Sequence, residues 1–130
     1  MYRLPHIKLD LNIKNIDVFC EAGVYSAEET KRICQAGQKH GWAPNVHVEE
    51  IEYIGGAEMA VDIGARAVSH LEKVSDEAIK LMGEKKTAAV ILPTTAYILK
   101  LVPPPVRKMI ENDVIVSLGS DFNPNGKNQL

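Results

Sequence analysis

Short apolar, β-prone runs alternate along the chain with segments that carry helix signals. Each apolar run has the length of a buried strand, and Gly, Pro or polar residues separate the runs. Ser26 and Glu29 have the spacing of a capping box, in which the serine oxygen accepts a backbone N–H and the glutamate reaches back. The pattern predicts strands at 16–20, 45–48, 67–70, 88–92 and 114–118, and helices from Ser26 to a stop at Gly41 and at 57–65, 75–85, 97–101 and 106–112.

This alternation predicts an α/β domain. Strands with two apolar faces, joined through helices, indicate a parallel sheet. Two architectures fit the elements. A five-stranded, doubly wound sheet of flavodoxin type is complete at about this length. A (β/α)₈ barrel needs roughly 250 residues, so the chain would form about half of one. Length favours the first, whereas the residues at the strand ends favour the second.

Composition and charge exclude several classes of protein. The 130 residues leave room for one domain, and 45% hydrophobic with 25% charged residues is typical of a folded chain. With 15 basic and 17 acidic residues, the net charge of −2 gives no electrostatic footprint for nucleic acid or an anionic membrane. No apolar run approaches the ~20 residues of a membrane span. Two cysteines without a CxxC motif, and no signal peptide, lead us to expect a reduced, cytoplasmic setting.

Polar residues recur at the carboxyl ends of the predicted strands. His47 and Glu50 follow the second strand, His70 ends the third, Thr95 follows the fourth and Asp121 follows the fifth. Because these ends meet at one edge of a parallel sheet, the side chains would share a rim. Imidazole and carboxylate groups are ligands for zinc or ferrous iron, and a metal ion with an open position activates water. Spacing alone therefore predicts an α/β domain with a candidate metal site.

Each of these residues also has a purely structural interpretation. A single histidine such as His47 is more often a hydrogen-bonded structural residue than a ligand. Asp121 opens an Asp-x-Asn-Pro turn, and Glu50 belongs to an acidic cluster that could form a solvated loop. Gly55 and Gly56 more often free the backbone before a helix than bind phosphate. The convergence of several such residues on one edge favours the functional interpretation.

Five segments, taken in order, resemble the imidazolonepropionases, cyclic amidohydrolases of histidine breakdown. The resemblance covers about residues 15–125 and is specific because the order and the separations both match. The segments are Ile16-Asp17-Val18-Phe19-Cys20-Glu21, Val46-His47-Val48-Glu49-Glu50, Ser69-His70-Leu71-Glu72, Leu92-Pro93-Thr94-Thr95-Ala96-Tyr97 and Gly119-Ser120-Asp121-Phe122-Asn123-Pro124-Asn125.

The resemblance implies a metal-dependent (β/α)₈ barrel with a small β domain. The implied reaction is hydrolysis of 4-imidazolone-5-propanoate to N-formimidoyl-L-glutamate, with one divalent metal ion, zinc or iron. It implies that His47 is the fifth-strand metal ligand, and that Asp121 is the eighth-strand ligand and accepts a proton from the catalytic water. Glu50 would contact the imidazolone ring and move protons, and His70 would support the substrate and transition state.

The same resemblance implies substrate contacts and a partner. Asn123 and Asn125 match the loop that holds the substrate, although many relatives carry Gly where Asn125 stands. The resemblance also implies that the full-length enzymes are homodimers and that the active site binds a small-molecule substrate. The chain would then consist of an irregular segment at 1–14, a partial barrel domain at 15–125 and a tail at 126–130.

Parts of the family pattern are missing from this sequence. There is no His-x-His, which supplies two further metal ligands from the first barrel strand, and the chain matches about strands four to eight. With two ligands instead of four we expect weak metal binding and an inactive isolated chain. Two other hypotheses stay open: a non-catalytic flavodoxin-like binding domain, and a partner protein that pairs its exposed sheet edges with another chain.

Overall fold

A computed structural model describes residues 12–123 of the chain. Its centre is one parallel sheet of five strands, paired in the order in which they occur along the chain. The strands are β1 (Asn15–Cys20), β2 (Ala43–Val48), β3 (Ala67–His70), β4 (Ala88–Ile91) and β5 (Val116–Leu118).

Helices connect successive strands, and the first begins where the sequence predicts. Ser26 Oγ accepts the backbone N–H of Glu29 at 3.2 Å, and Glu29 Oε2 accepts the N–H of Ser26 at 2.9 Å. The predicted capping box is therefore confirmed. The helices are α1 (Ala27–Gln38), α2 (Gly56–Asp62), α3 (Asp76–Lys85), α4 (Pro93–Ile98) and α5 (Val106–Glu111).

The strand order decides between the two predicted architectures. A flavodoxin-type sheet reverses direction after its first strands and carries helices on both faces. Here the order runs β1-β2-β3-β4-β5 without reversal. The described sheet therefore consists of successive (β/α) units, as in part of a (β/α)₈ barrel, and the doubly wound alternative is wrong.

The parallel sheet predicted from the apolar strands is confirmed, and one face of each of β1 to β4 is more buried than the other. In β1, Ile16, Val18 and Cys20 are buried while Asp17 and Phe19 are exposed, and β2, β3 and β4 alternate in the same way between buried and partly exposed positions. The buried face packs against the helices, and the opposite face is the one that lines the interior of a complete barrel. The core between sheet and helices includes Val18, Val46, Val48, Val68, Ala89 and Ile91 from the strands and Cys34, Ala57, Ala60, Ile79, Met82 and Met109 from the helices.

Several element boundaries differ from the sequence prediction, among them the starts of β2 at Ala43 and of β5 at Val116, the end of α2 at Asp62 and both ends of α4. Helix α4 begins at Pro93 rather than at 97, because proline suits the first position of a helix, where no N–H bond is needed. Strand β5 begins at Val116 rather than at 114. The N–H of Val114 donates instead to the carbonyl of Met109 at 3.0 Å, in a turn where Asp113 has a φ of +60°.

Gly83 lies where α3 contacts the end of α5, and no side chain fits there. A Cβ at this position would stand 1.8 Å from the backbone oxygen of Asn112. Because backbone has to move to relieve that overlap, we expect Gly83→Ala to lower the free energy of unfolding by about 2 kcal/mol or more. Urea denaturation measures this. The control Glu84→Ala, at an exposed position of the same helix, should change it by less than about 0.5 kcal/mol. Equal stability of Gly83→Ala and the wild type would contradict this packing.

Candidate metal and catalytic site

His47 lies near the carboxyl end of β2, on the face of the sheet that the helices leave uncovered. Its Nδ1 is 2.8 Å from Oδ1 of Asp17 on the neighbouring strand β1. This hydrogen bond is the main reason that the pKa of His47 is raised, with the charge of Asp17 adding to the effect against burial. Asp17 was not among the residues predicted from the sequence, since only the strand pairing brings it to His47.

His70 ends β3 and lies beside His47. The two ring centroids are 5.3 Å apart, and Nε2 of His70 is 3.6 Å from Oε2 of Glu50. His70 is 3% exposed and its Nδ1 is buried without a hydrogen-bond partner among the described residues. Burial, and secondarily the charge of His47, lowers the pKa of His70 to about 4, so the ring is neutral at physiological pH.

The backbone after β3 is strained where it presents His70. His70 and Leu71 have φ values of +77° and +73°, in the left-handed region that side-chain-bearing residues rarely adopt. The fully buried Leu71 side chain, and its N–H bond to the carbonyl of Val48 at 3.2 Å, hold this conformation. Strain of this kind persists only where surrounding packing imposes it, and it is common at functional sites.

Asp121 and Asn123 follow β5 at the same end of the sheet. Thr95, at the start of α4, donates its hydroxyl to Oδ2 of Asp121 at 2.5 Å. Asn123 donates its side-chain N–H to the backbone oxygen of Asp121 at 2.8 Å. Asp121 also acts electrostatically on His47 and His70, whose protonated forms it favours. The predicted site residue Asn125 lies outside the described residues.

Glu50 is buried rather than part of a solvated loop. It is 8% exposed, and burial followed by the charges of Asp121 and Glu21 raises its pKa. In the segment between β2 and α2 only some of the acidic residues are exposed: Glu52 is, whereas Glu49 is fully buried. The structure therefore brings Glu50 and His70 together as the sequence suggested, and places both away from bulk water.

The buried carboxylates of Glu21 and Glu49 hold the segment that carries Glu50. Glu21 accepts the backbone N–H groups of Glu50 and Ile51 at 3.1 Å and of Glu52 at 3.0 Å. Glu49 accepts the N–H groups of Gly56 and Ala57, the first two residues of α2, and of Ile54 just before the helix. Gly55 adopts a φ of +77° just before this helix. The interpretation of the two glycines as a backbone turn, rather than a phosphate site, fits this geometry.

Glu72 is a buried acid without an ion-pair partner among residues 12–123. It is 7% exposed, and apart from its own backbone N–H neither carboxyl oxygen has a hydrogen-bond partner among the described residues. Burial raises its pKa to about 7, and the nearby charges of Glu50, Asp121 and Glu21 add to the shift. The carboxyl end of the sheet therefore concentrates negative potential, which favours a cation.

The donor chemistry at this edge suits a divalent metal ion. His47 offers Nε2 with its Nδ1 anchored to a carboxylate, which is how metal-binding histidines are held. Asp121 offers a carboxylate oxygen, and both donor types are compatible with zinc or iron. Between residues 12 and 123, however, no three His, Cys, Asp or Glu side chains are grouped closely enough to hold an ion. The described residues thus supply part of a donor set.

Several solved structures share the fold of the described residues. An adenosine deaminase from Xanthomonas campestris with bound zinc matches 83% of this chain and 28% of its own, with a TM-score of 0.66 and 13% identity. A Xaa-Pro dipeptidase matches 85% and 35%, with a TM-score of 0.63 and 20% identity. An amidohydrolase from a Sargasso Sea sample matches 81% and 24%, with a TM-score of 0.60 and 19% identity. The described residues therefore share the fold of part of each of these structures.

Sequence relatives are far closer. A "probable imidazolonepropionase" of Nematostella vectensis is 54% identical over 116 residues, which is 89% of this chain and 27% of the relative. The mouse protein of that name is 49% identical over 129 residues, which is 95% of this chain and 30% of the relative. No protein-family model matches the chain. The chain is therefore similar to imidazolonepropionases over most of its own length, and it spans less than a third of the length of these relatives.

None of the helices in the described range 12–123 is long and apolar enough to cross a membrane.

Glu72 gives a testable pH dependence. Its pKa of about 7 in the folded chain lies above the ordinary 4.5, so the folded state loses stability relative to the unfolded state as the pH rises from 4.5 through 7. Removing the charge with Glu72→Gln should raise the free energy of unfolding at pH 8 by on the order of 2–3 kcal/mol, and far less at pH 5. Urea denaturation at both pH values measures this, with the exposed Glu84→Gln as control. A gain that is the same at both pH values would contradict the assignment.

Proposed function

We propose that this chain carries part of the active site of an imidazolonepropionase. The reaction is hydrolysis of 4-imidazolone-5-propanoate to N-formimidoyl-L-glutamate, a step of histidine degradation in the cytoplasm. The observation that carries the proposal is the identity of 49–54% to relatives of that name over 89–95% of the chain. The meeting of His47, Glu50 and His70 at one end of the sheet supports it.

His47 and Asp121 are the proposed holders of one divalent metal ion, zinc or iron. Bound there, such an ion would supply an acidified water and polarise the substrate carbonyl. The hydrogen bond from Thr95 orients Oδ2 of Asp121. Oδ1, which accepts only a long hydrogen bond of 3.4 Å from the side chain of Asn123, is the proposed proton acceptor. The zinc in a structural neighbour supports a divalent ion in this fold.

Glu50 is the proposed carrier of protons to the leaving nitrogen. Hydrolysis of a cyclic amide requires a group that can hold a proton near neutral pH and release it to nitrogen. Burial raises the pKa of Glu50, which moves it toward that condition. His70, neutral and 3.6 Å from Glu50, is proposed to support the substrate and transition state through hydrogen bonds.

Asn123 and Asn125 are the proposed substrate contacts in the segment after β5. The amide of Asn123 is bonded to the backbone of Asp121, which fixes the start of this segment. Two further metal ligands, and groups that bind the propanoate, would have to come from residues other than those described. We therefore propose that activity requires a more complete barrel.

A chimaera tests this function directly. We expect the N. vectensis relative, with its matching 116-residue stretch replaced by the residues of this chain, to hydrolyse 4-imidazolone-5-propanoate. In that chimaera, Glu50→Gln should retain the metal and lower kcat by about 10²-fold or more, because only proton transfer is removed. His47→Ala and Asp121→Ala should lose both metal and activity. Product formation and metal content are the measurements, and the exposed Glu84→Gln is the control. Full activity of the Glu50→Gln chimaera would contradict the assigned role.

The 130-residue chain alone should behave differently from the chimaera. With only His47 and Asp121 as donors, we expect well under one metal ion per chain after equilibration with zinc or ferrous iron and removal of the excess, and no hydrolysis. Elemental analysis and the same product assay measure this. A content near one ion per chain that is lost in His47→Ala and in Asp121→Ala would show that the site is complete without further barrel units.

A further inference from the structure

We propose that Asp17 is a positioning residue for His47: it keeps the ring protonated on Nδ1 and leaves Nε2 to bind the divalent ion. The inference rests on the proposed function, because it assigns a second carboxylate to the proposed metal site. It adds a residue that does not itself touch the ion.

The sheet register creates this contact. In the parallel pairing of β1 with β2, Phe19 lies opposite His47 and Asp17 lies opposite Asn45. All four side chains lie on the face that the helices leave uncovered, since the alternate positions of both strands are buried. The carboxylate of Asp17 therefore reaches His47 diagonally across the strand pair, with a distance of 2.8 Å between Oδ1 and Nδ1.

The chemistry of the pair determines the tautomer of His47. An ionised carboxylate only accepts hydrogen bonds, so Nδ1 of His47 must carry the hydrogen in this contact. In a neutral ring the lone pair is then on Nε2, which has no hydrogen-bond partner among the described residues and is free to coordinate. Carboxylate–histidine pairs of this kind orient metal ligands and raise their basicity.

Neighbouring rings restrict the remaining freedom of His47. Phe19 approaches its ring edge-on, with centroids 6.1 Å apart and an interplanar angle of 78°, and the ring of His70 lies 5.3 Å away on β3. The imidazole is therefore bounded by side chains from both adjacent strands, and the Asp17 hydrogen bond selects which nitrogen faces the remaining open direction. An exposed ion pair between mobile side chains would lack these flanking contacts.

The first readout is the tautomer of His47 in the 130-residue chain without metal. We expect NMR of the imidazole nitrogens, at a pH where the ring is neutral, to show hydrogen on Nδ1 in the wild type. Asp17→Asn should keep this tautomer, since the amide oxygen still accepts, whereas Asp17→Ala should shift the ring toward hydrogen on Nε2. The control Asn45→Ala removes a polar side chain from the strand and the sheet face that carry His47, and it should leave the tautomer of His47 unchanged. A wild-type ring with hydrogen on Nε2 overturns the proposal.

The second readout is zinc binding, followed by the NMR shift of the His47 ring during titration with zinc ions. We expect the dissociation constant to rise by about tenfold or more in Asp17→Ala, by less in Asp17→Asn, and to stay within about twofold in Asn45→Ala. Zinc binding that is equally strong with and without Asp17 overturns this inference alone. A wild type whose His47 ring does not respond to zinc overturns this inference, whereas the metal site proposed for a more complete barrel is tested separately, by the metal content of the chimaera and of its His47→Ala variant.

Discussion

Two buried carboxylates, those of Glu21 and Glu49, determine the path of the chain between β2 and α2, and the candidate site depends on that path. Together they accept six backbone N–H groups from this loop and the start of α2, which are bonded to these side chains and not to strand or helix carbonyls. A buried N–H without an acceptor costs about 1–3 kcal/mol, so the loop has little freedom to take another course. Glu50 lies in this loop, and its carboxyl group therefore stays near His70.

Several features of the candidate site are unfavourable for folding but suit the proposed chemistry. Left-handed backbone at His70 and Leu71 is unfavourable, and the buried side chain of Leu71 compensates for it. Burial keeps His70 neutral and shifts Glu50 and Glu72 toward their protonated forms. An isolated α/β domain gains nothing from such an accumulation of strained and poorly solvated acidic groups. The proposed function would make use of it, since holding a cation and moving protons both need electrostatic interactions that water would otherwise screen.

The face of the sheet that the helices leave uncovered carries part of the proposed site, even though the segment is short. Helices cover the buried face, and the other face carries Asp17, His47 and Phe19 next to open space. In a complete barrel this face is interior, so functional groups at its carboxyl end come from many strands. A segment spanning 27–30% of its relatives therefore presents part of the proposed site and only part of the proposed metal donors.

The alternation of strands and helices, the capping box at Ser26 and the similarity to imidazolonepropionases could all be predicted from the sequence, because they depend on local patterns and on ordered motifs. It also pointed to His47, Glu50, His70 and Asp121, because parallel strands bring their carboxyl ends to one edge. It could not determine which face of each strand is buried, or the strand order that excludes a doubly wound sheet, since both depend on where the helices pack. The contact of Asp17 with His47 emerges only in the tertiary structure, because the strand register that creates it joins residues 30 positions apart and leaves no local signature in the sequence.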